Sequence, residues 1–416
     1  MHVRAAALLL AAAGSAPALE QVRRPRVLEA QHHDRSPPLW LMRPAEPLAE
    51  VAEHQPMRIP LVVRQRPVRD TAVQPQVPAL LVPQAGVSFE GIGDGLAGVP
   101  PAPGVFRVFA MPPDPNGDVG PNHYVQIVNS SFAVFAKNGT LQYGPVPTRT
   151  VFQGFGGACE THDDGDGVVL YDPMANRWLV TQFAIVNSTN GPFLQCVAVS
   201  ATPDPTGGWN RYVFSFTSFN DYGKFGVWPD AYYATYNLFT NALSGGGAFL
   251  GTEVCALDRA RMLDGGLATQ QCVVIPPKDT MSGTTPADLD GPRAPPLGEP
   301  GFILAYDTDS LSLFRYHVDW SRPQDSALTG PVSIRVAPFT AACPSSSTGA
   351  CIPQPGFGAL LDSLSDRIMF RVAYRNQGTH ESLIANHSVQ GSGASGAKSA
   401  RFSTAFGECA RSRLLR

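Results

Sequence analysis

Two short runs of acidic and amide side chains are the residues of this chain whose types and spacing best suit chemistry. The first is Asp114-Pro115-Asn116-Gly117-Asp118 and the second is Glu160-Thr161-His162-Asp163-Asp164-Gly165-Asp166. A calcium ion takes roughly six to eight oxygen ligands. Asp114, Asn116 and Asp118 offer oxygens at alternate positions, and Asp163, Asp164 and Asp166 crowd three carboxylates around a glycine. A structural Ca²⁺ is therefore the one cofactor the residues suggest. The first run lacks the following Gly and the distal Glu of a calcium loop. Turn chemistry is the competing reading, because Asp and Asn bond their own backbone and Gly accepts left-handed φ.

Other chemistry leaves fainter marks. Glycoside hydrolysis needs two carboxylates flanking the bond, and Glu160, Asp163, Asp230 and Glu253 are candidates. Arg177, Arg211, Arg315 and Arg371 sit at strand-like positions and could gather a substrate carboxylate, or simply cover aromatic surface. Trp228, Tyr232 and Tyr233, with Arg177, make a candidate binding surface for a glycan or an extracellular protein. Burial is the alternative, since Tyr232, Ala234 and Tyr236 alternate on one face of a strand. No G-x-S-x-G and no H-E-x-x-H occurs, so no catalytic residue is assigned. Gly93 to Gly98 matches G-x-G-x-x-G, yet no strand precedes it and Pro100 and Pro101 follow, which denies it a helix to present to a phosphate. The net charge of -3 gives no basic field for nucleic acid.

The elements that must position these residues divide the chain. Residues 1–18 read as an export signal: His2 and Arg4, an apolar stretch from Ala5 to Ala13, then Ala16-Pro17-Ala18. That stretch is too short to span a membrane, and no other stretch has the length. An exported location follows. The seven cysteines form no C-x-x-C, so disulfides are expected. Nearest-neighbour pairing joins Cys159 with Cys196, Cys255 with Cys272 and Cys343 with Cys351, leaving Cys409. Residues 19–104 are rich in proline and read as a disordered or extended arm. Residues 105–387 are dense in aromatic and β-branched side chains with turns at short intervals. An apolar run, a turn and an alternating run recur from near Asp118, Asp166, Gly226, Pro300 and Gly358. This pattern predicts an all-β chain, a β-propeller of short antiparallel strands. The proline-rich insert from Pro276 to Pro300 reads as a long surface loop. Residues 388–416 lose the alternation and read as an irregular tail that leaves the propeller incomplete at its C-terminal end.

Five phrases carry a resemblance: Asp114–Asn138, Asp166–Ala184, Cys196–Phe214, Lys224–Asn237 and Ala385–Val389. Together they resemble a family of uncharacterised exported bacterial proteins with a β-propeller, and more distantly the sialidase-type propellers. The resemblance implies export and the fold, and brings no reaction with it. The expected role is an exported binding or scaffold module; the alternative is a secreted, sialidase-like glycoside hydrolase. The second requires arginines and carboxylates to converge at one mouth of the central channel.

Overall fold

Both faces of most strands here are apolar, as in Val168–Tyr171 and Tyr232–Tyr236, so each sheet must be covered on both sides. A computed structural model shows how. It describes residues 21–47, 52–53, 57, 59, 86–243, 247–279, 283–307, 310–343, 349–354, 356–390 and 400–409. Four antiparallel meanders of four strands follow one another along the chain. Blade 1 is Asn116–Val119, His123–Val128, Ser131–Ala136 and Leu141–Pro147. Blade 2 is Gly165–Asp172, Arg177–Ile185, Phe193–Ser200 and Trp209–Phe216. Blade 3 is Phe219–Val227, Tyr232–Phe239, Phe249–Leu257 and Thr269–Ile275; blade 4 is Thr285–Asp290, Gly301–Tyr306, Ser310–His317 and Ala327–Arg335. A fifth sheet of three strands, Met369–Asn376, Glu381–Gln390 and Ala400–Cys409, joins blade 4 through a parallel pairing of Ala287–Asp290 with Val372–Arg375.

The first strand of each blade touches the first strand of the next, from blade 1 through blade 4 and on to the fifth sheet. These strands therefore surround an axis, and the chain is an all-β propeller. Its apolar core lies between blades. Val169, Trp178 and Trp209 pack toward blade 1, while Val168, Leu170 and Leu179 pack toward Tyr232 and Tyr236 of blade 3. Tyr233, on the opposite face, packs with Phe302, Tyr316 and Tyr374 of the following sheets. The hairpin in Asp166–Ala184 forms as its residues dictate. Asp172 Oδ1 accepts the amides of Met174 and Ala175 at 3.0 Å each, Asn176 takes the left-handed φ of 54°, and Tyr171 faces Trp178. All three expected disulfides form.

Three expectations change. The arm is paired where it is described: Val22–Arg23 adds to the outer edge of blade 4, Arg26–Glu29 to blade 3 and His32–Arg35 to blade 2, all antiparallel. It thus runs backward around the rim, and Leu39 and Met42 then enter the core of blades 1 and 2. Pro25 falls between these short strands and Pro37 and Pro38 follow the last of them, so no proline interrupts a pairing, and edge strands tolerate irregular chain. The proline-rich insert contains the innermost strand of blade 4, Thr285–Asp290, almost wholly buried. Pro286 is admitted there because it lies near the start of the strand, ahead of the parallel pairing that begins at Ala287. The tail expected to be irregular supplies Ala400–Cys409, paired with Glu381–Gln390. The export signal, residues 1–18, lies outside the described residues. Among the described residues no helix is long and apolar enough to cross a membrane.

Candidate active site

The side chains with chemical potential gather where the inner strands begin. Asp114 lies two residues before the inner strand of blade 1, Asp166 and Asp221 lie within the first three residues of those of blades 2 and 3, and Asp366-Arg367 precede that of the fifth sheet. The strands are locally distorted to aim these groups. The register slips between Gly165 and Val168, between Asp221 and Lys224, and between Met369 and Ala373. Bulges at such places re-aim side chains. Asp114, Asp166 and Tyr222 also hold φ at 34°, 48° and 55°. Non-glycine residues pay for this backbone, and it persists where the surroundings over-determine it.

The charges interact closely. Burial pushes the Asp221 carboxyl up to about 7, Asp166's negative charge adds to the rise, and Arg367 and Lys224 oppose it. Burial, then Asp166, pushes Asp114 up to about 6, again against Lys224 and Arg367. Asp114 is exposed at the rim, so water screens part of its rise; the Asp221 side chain keeps only 14% of its surface. Arg367 is buried and held by Asp366, Nε to Oδ1 at 2.8 Å and Nη2 to Oδ2 at 2.9 Å, and its Nη1 lies 3.8 Å from Asp221 Oδ2. Tyr222 forms a wall under two cations, with Arg367 Cζ 4.7 Å and Lys224 Nζ 4.0 Å from its ring centroid. Its hydroxyl donates to Ile368 O at 3.2 Å.

A second charged group closes the axis further along the inner strands. Arg371 bonds Asp288 at 2.9 Å and Asp290 at 2.8 Å. Asp288 also accepts the Val227 amide at 2.9 Å, and burial pushes its carboxyl up to about 7 although Arg371 pulls it down. Asp118 accepts the amides of Tyr171 and Val119 at 2.7 Å each and feels Arg371 across the axis. Here nearly every carboxylate bridges two sheets, so this group ties the blades together.

Several predicted site residues are placed elsewhere. The six suggested calcium ligands do not surround one point. Asp163 is buried against Arg149, Asp164 accepts the Ile185 amide at 2.6 Å, and Asn116 accepts the Val169 amide at 2.7 Å. With Asp118 likewise engaged, these oxygens serve the backbone and do not fit a calcium cage. Only Asp114 and Asp166 of the six enter the mouth. Among the described residues one group has ligand atoms within 4.8 Å of one another, Glu253, Cys255 and Cys272, and both cysteines are spent in a disulfide. Trp228, Tyr232 and Tyr233 are core residues at 1%, 0% and 1% exposure, so they cannot be a binding surface. Arg177 turns back onto the carbonyls of Ala175 and Asn176. Arg211 is tied to Asp34 of the arm, Glu253 to Arg26, and Asp230 to the Tyr233 hydroxyl. Of the four arginines considered, Arg371 alone is placed at the axis, and Arg367 was missed. Asp221 was missed too, although Asp166-Gly167 and Asp221-Tyr222-Gly223 both set an aspartate just ahead of a glycine at a strand start.

No protein-family model matches the chain, and no curated protein matches it. Among solved structures, an exo-1,5-alpha-L-arabinanase from a bovine ruminal metagenomic library superposes with a TM-score of 0.31 at 9% identity, over 70% of this chain and 91% of that one. A Cellvibrio cellulosa alpha-L-arabinanase gives 0.27 at 12% identity, over 70% and 90%. Superpositions this loose carry no argument, and the architecture rests on the sheets themselves.

Proposed function

We propose that this chain is an exported hydrolase of glycosidic bonds, with its active centre at the axial mouth formed by Asp114, Asp166 and Asp221. The observation that carries this reading is the convergence of three aspartates from three blades, one of them holding its proton to near neutral pH. Cleaving a glycoside requires one carboxyl group that donates a proton to the leaving oxygen and a second that attacks or activates water. Environments that push two carboxyl groups apart in acidity assign those roles. Asp221 is the acid, since burial and its neighbour's charge keep it protonated. Asp166 is the partner carboxyl group, and its charge adds to the rise that burial causes in the other two. Asp114, at the rim, is the third group of the set. Tyr222 and Lys224 form the wall against which a sugar ring would rest.

The three disulfides favour an oxidising compartment, in keeping with export. A binding or scaffold role has lost the aromatic surface that suggested it, because those rings are in the core. The test is release of reducing ends from a panel of neutral and acidic polysaccharides between pH 4 and 8. Asp166→Asn and Asp221→Asn should each lower kcat by about 100- to 10,000-fold, with unchanged circular dichroism. A wild-type chain that releases nothing, or variants that keep full rate, would overturn the proposal.

A further inference from the structure

The N-terminal arm reaches the same mouth. Ala52–Glu53 pairs in parallel with Ala110–Met111, just ahead of Asp114. Further along, Met57 and Ile59 are 6% and 4% exposed and belong to the core between blades 2 and 3. They occupy room that glycines leave. A Cβ on Gly247 would come within 2.5 Å of Met57 Cε, and one on Gly283 within 3.2 Å of Ile59 Cδ1. Their backbone engages the Asp366–Arg367 pair. The Ile59 N–H donates to Asp366 Oδ2 at 3.0 Å, and Arg367 Nη2 donates to the Met57 carbonyl at 2.5 Å. With Nε on Asp366 and Nη2 shared between Asp366 and Met57, Nη1 is the nitrogen that faces Asp221, 3.8 Å away.

We infer that Met57 and Ile59 are positioning residues of the axial site: their carbonyl and amide hold Arg367 so that its charge faces Asp221. The catalytic meaning of this rests on Asp221 being the acid proposed above; the geometry does not. Four charged groups act on Asp221: Asp166 from blade 2, Lys224 from its own strand, and Asp366 and Arg367 from the segment entering the fifth sheet. Loss of the Ile59 amide leaves Asp366 less neutralised and Arg367 less constrained. Both effects strengthen proton binding at Asp221.

The test is a carbon-13 carboxyl titration of Asp221 in the full-length chain, comparing Ile59→Pro, which deletes the N–H, with Ile59→Ala, which keeps it. The proline variant should bind the proton about three- to tenfold more tightly, a rise of roughly 0.5–1 pH unit, while the alanine variant stays near wild type. An unchanged midpoint in the proline variant, or an equal shift in both, overturns the inference. Should the proline variant not fold, the wild-type chain still decides. The Ile59 amide nitrogen shift should inflect at the Asp221 midpoint and lose that inflection in Asp221→Asn; no inflection overturns the inference. The readout is titration, so a chain that cleaves no glycan still answers the question.

Discussion

Replacing Asp221 with asparagine should stabilise the protein at alkaline pH while removing its proposed acid. The carboxyl moves from an ordinary 3.8 to about 7 on folding. The folded state thus binds this proton more tightly than the unfolded chain. The resulting stability is fully present below the unfolded value and is lost as pH rises through the folded one. A rise of about three units corresponds to about 4 kcal/mol. The 14% of the side chain that meets water screens part of this, leaving about 2 kcal/mol as the expected effect. Asparagine keeps the size and an acceptor for Arg367, and it never ionises. Urea unfolding at pH 8.5 should therefore place Asp221→Asn above wild type by about that amount, and at pH 3.5 the two should nearly coincide. A gap that is the same at both pH values, or a variant less stable at pH 8.5, would refute the reasoning.

Two further outcomes follow from buried groups. Arg149→Met strands Asp163, whose side chain has no exposed surface, and should cost about 3–5 kcal/mol at pH 8 by thermal unfolding. The cost should shrink below pH 6, where Asp163, already raised to about 6 chiefly by burial, takes up its proton. Trp228→Ala and Tyr233→Ala remove rings from the core between blades 3 and 4 and the fifth sheet, and should each cost about 3–5 kcal/mol in denaturant titrations. The fraction that stays folded should turn over any glycan substrate at the wild-type rate.

Much of the architecture was legible because most blade strands bury both faces. Runs such as Val168–Tyr171 and turns such as Asp172–Asn176 carry their structure locally, and the cysteines pair with near neighbours along the sequence, Cys255 with Cys272 directly across a strand pair. The innermost strand of blade 4 was hidden by its proline, since composition cannot tell a proline near a strand start from one in a loop. The arm was hidden for a related reason. Strands of two to four residues hold no pattern of their own and take their conformation from distant edges. The site was half legible. Asp114 and Asp166 stood out as acidic turn residues, but the sequence could not say which oxygens the backbone would claim. Asp221, Asp366 and Arg367 acquire their meaning only when the ring brings remote strand starts together.

The arm around the rim has a consequence for chronology. Its residues are made before the blades, yet Arg23 bonds Gly330, 307 residues later, and Val22–Arg23 has no strand to join until blade 4 exists. Such long-range closure is slow. Until then the outer edges of blades 2, 3 and 4 are open to any passing strand, the usual route to sheet-to-sheet aggregation. Docking of the arm shuts all three edges. The hazardous interval in this protein's life is therefore the time between completing blade 4 and fastening the arm, and a partner that shortens it would raise the yield of folded chain without touching the folded structure.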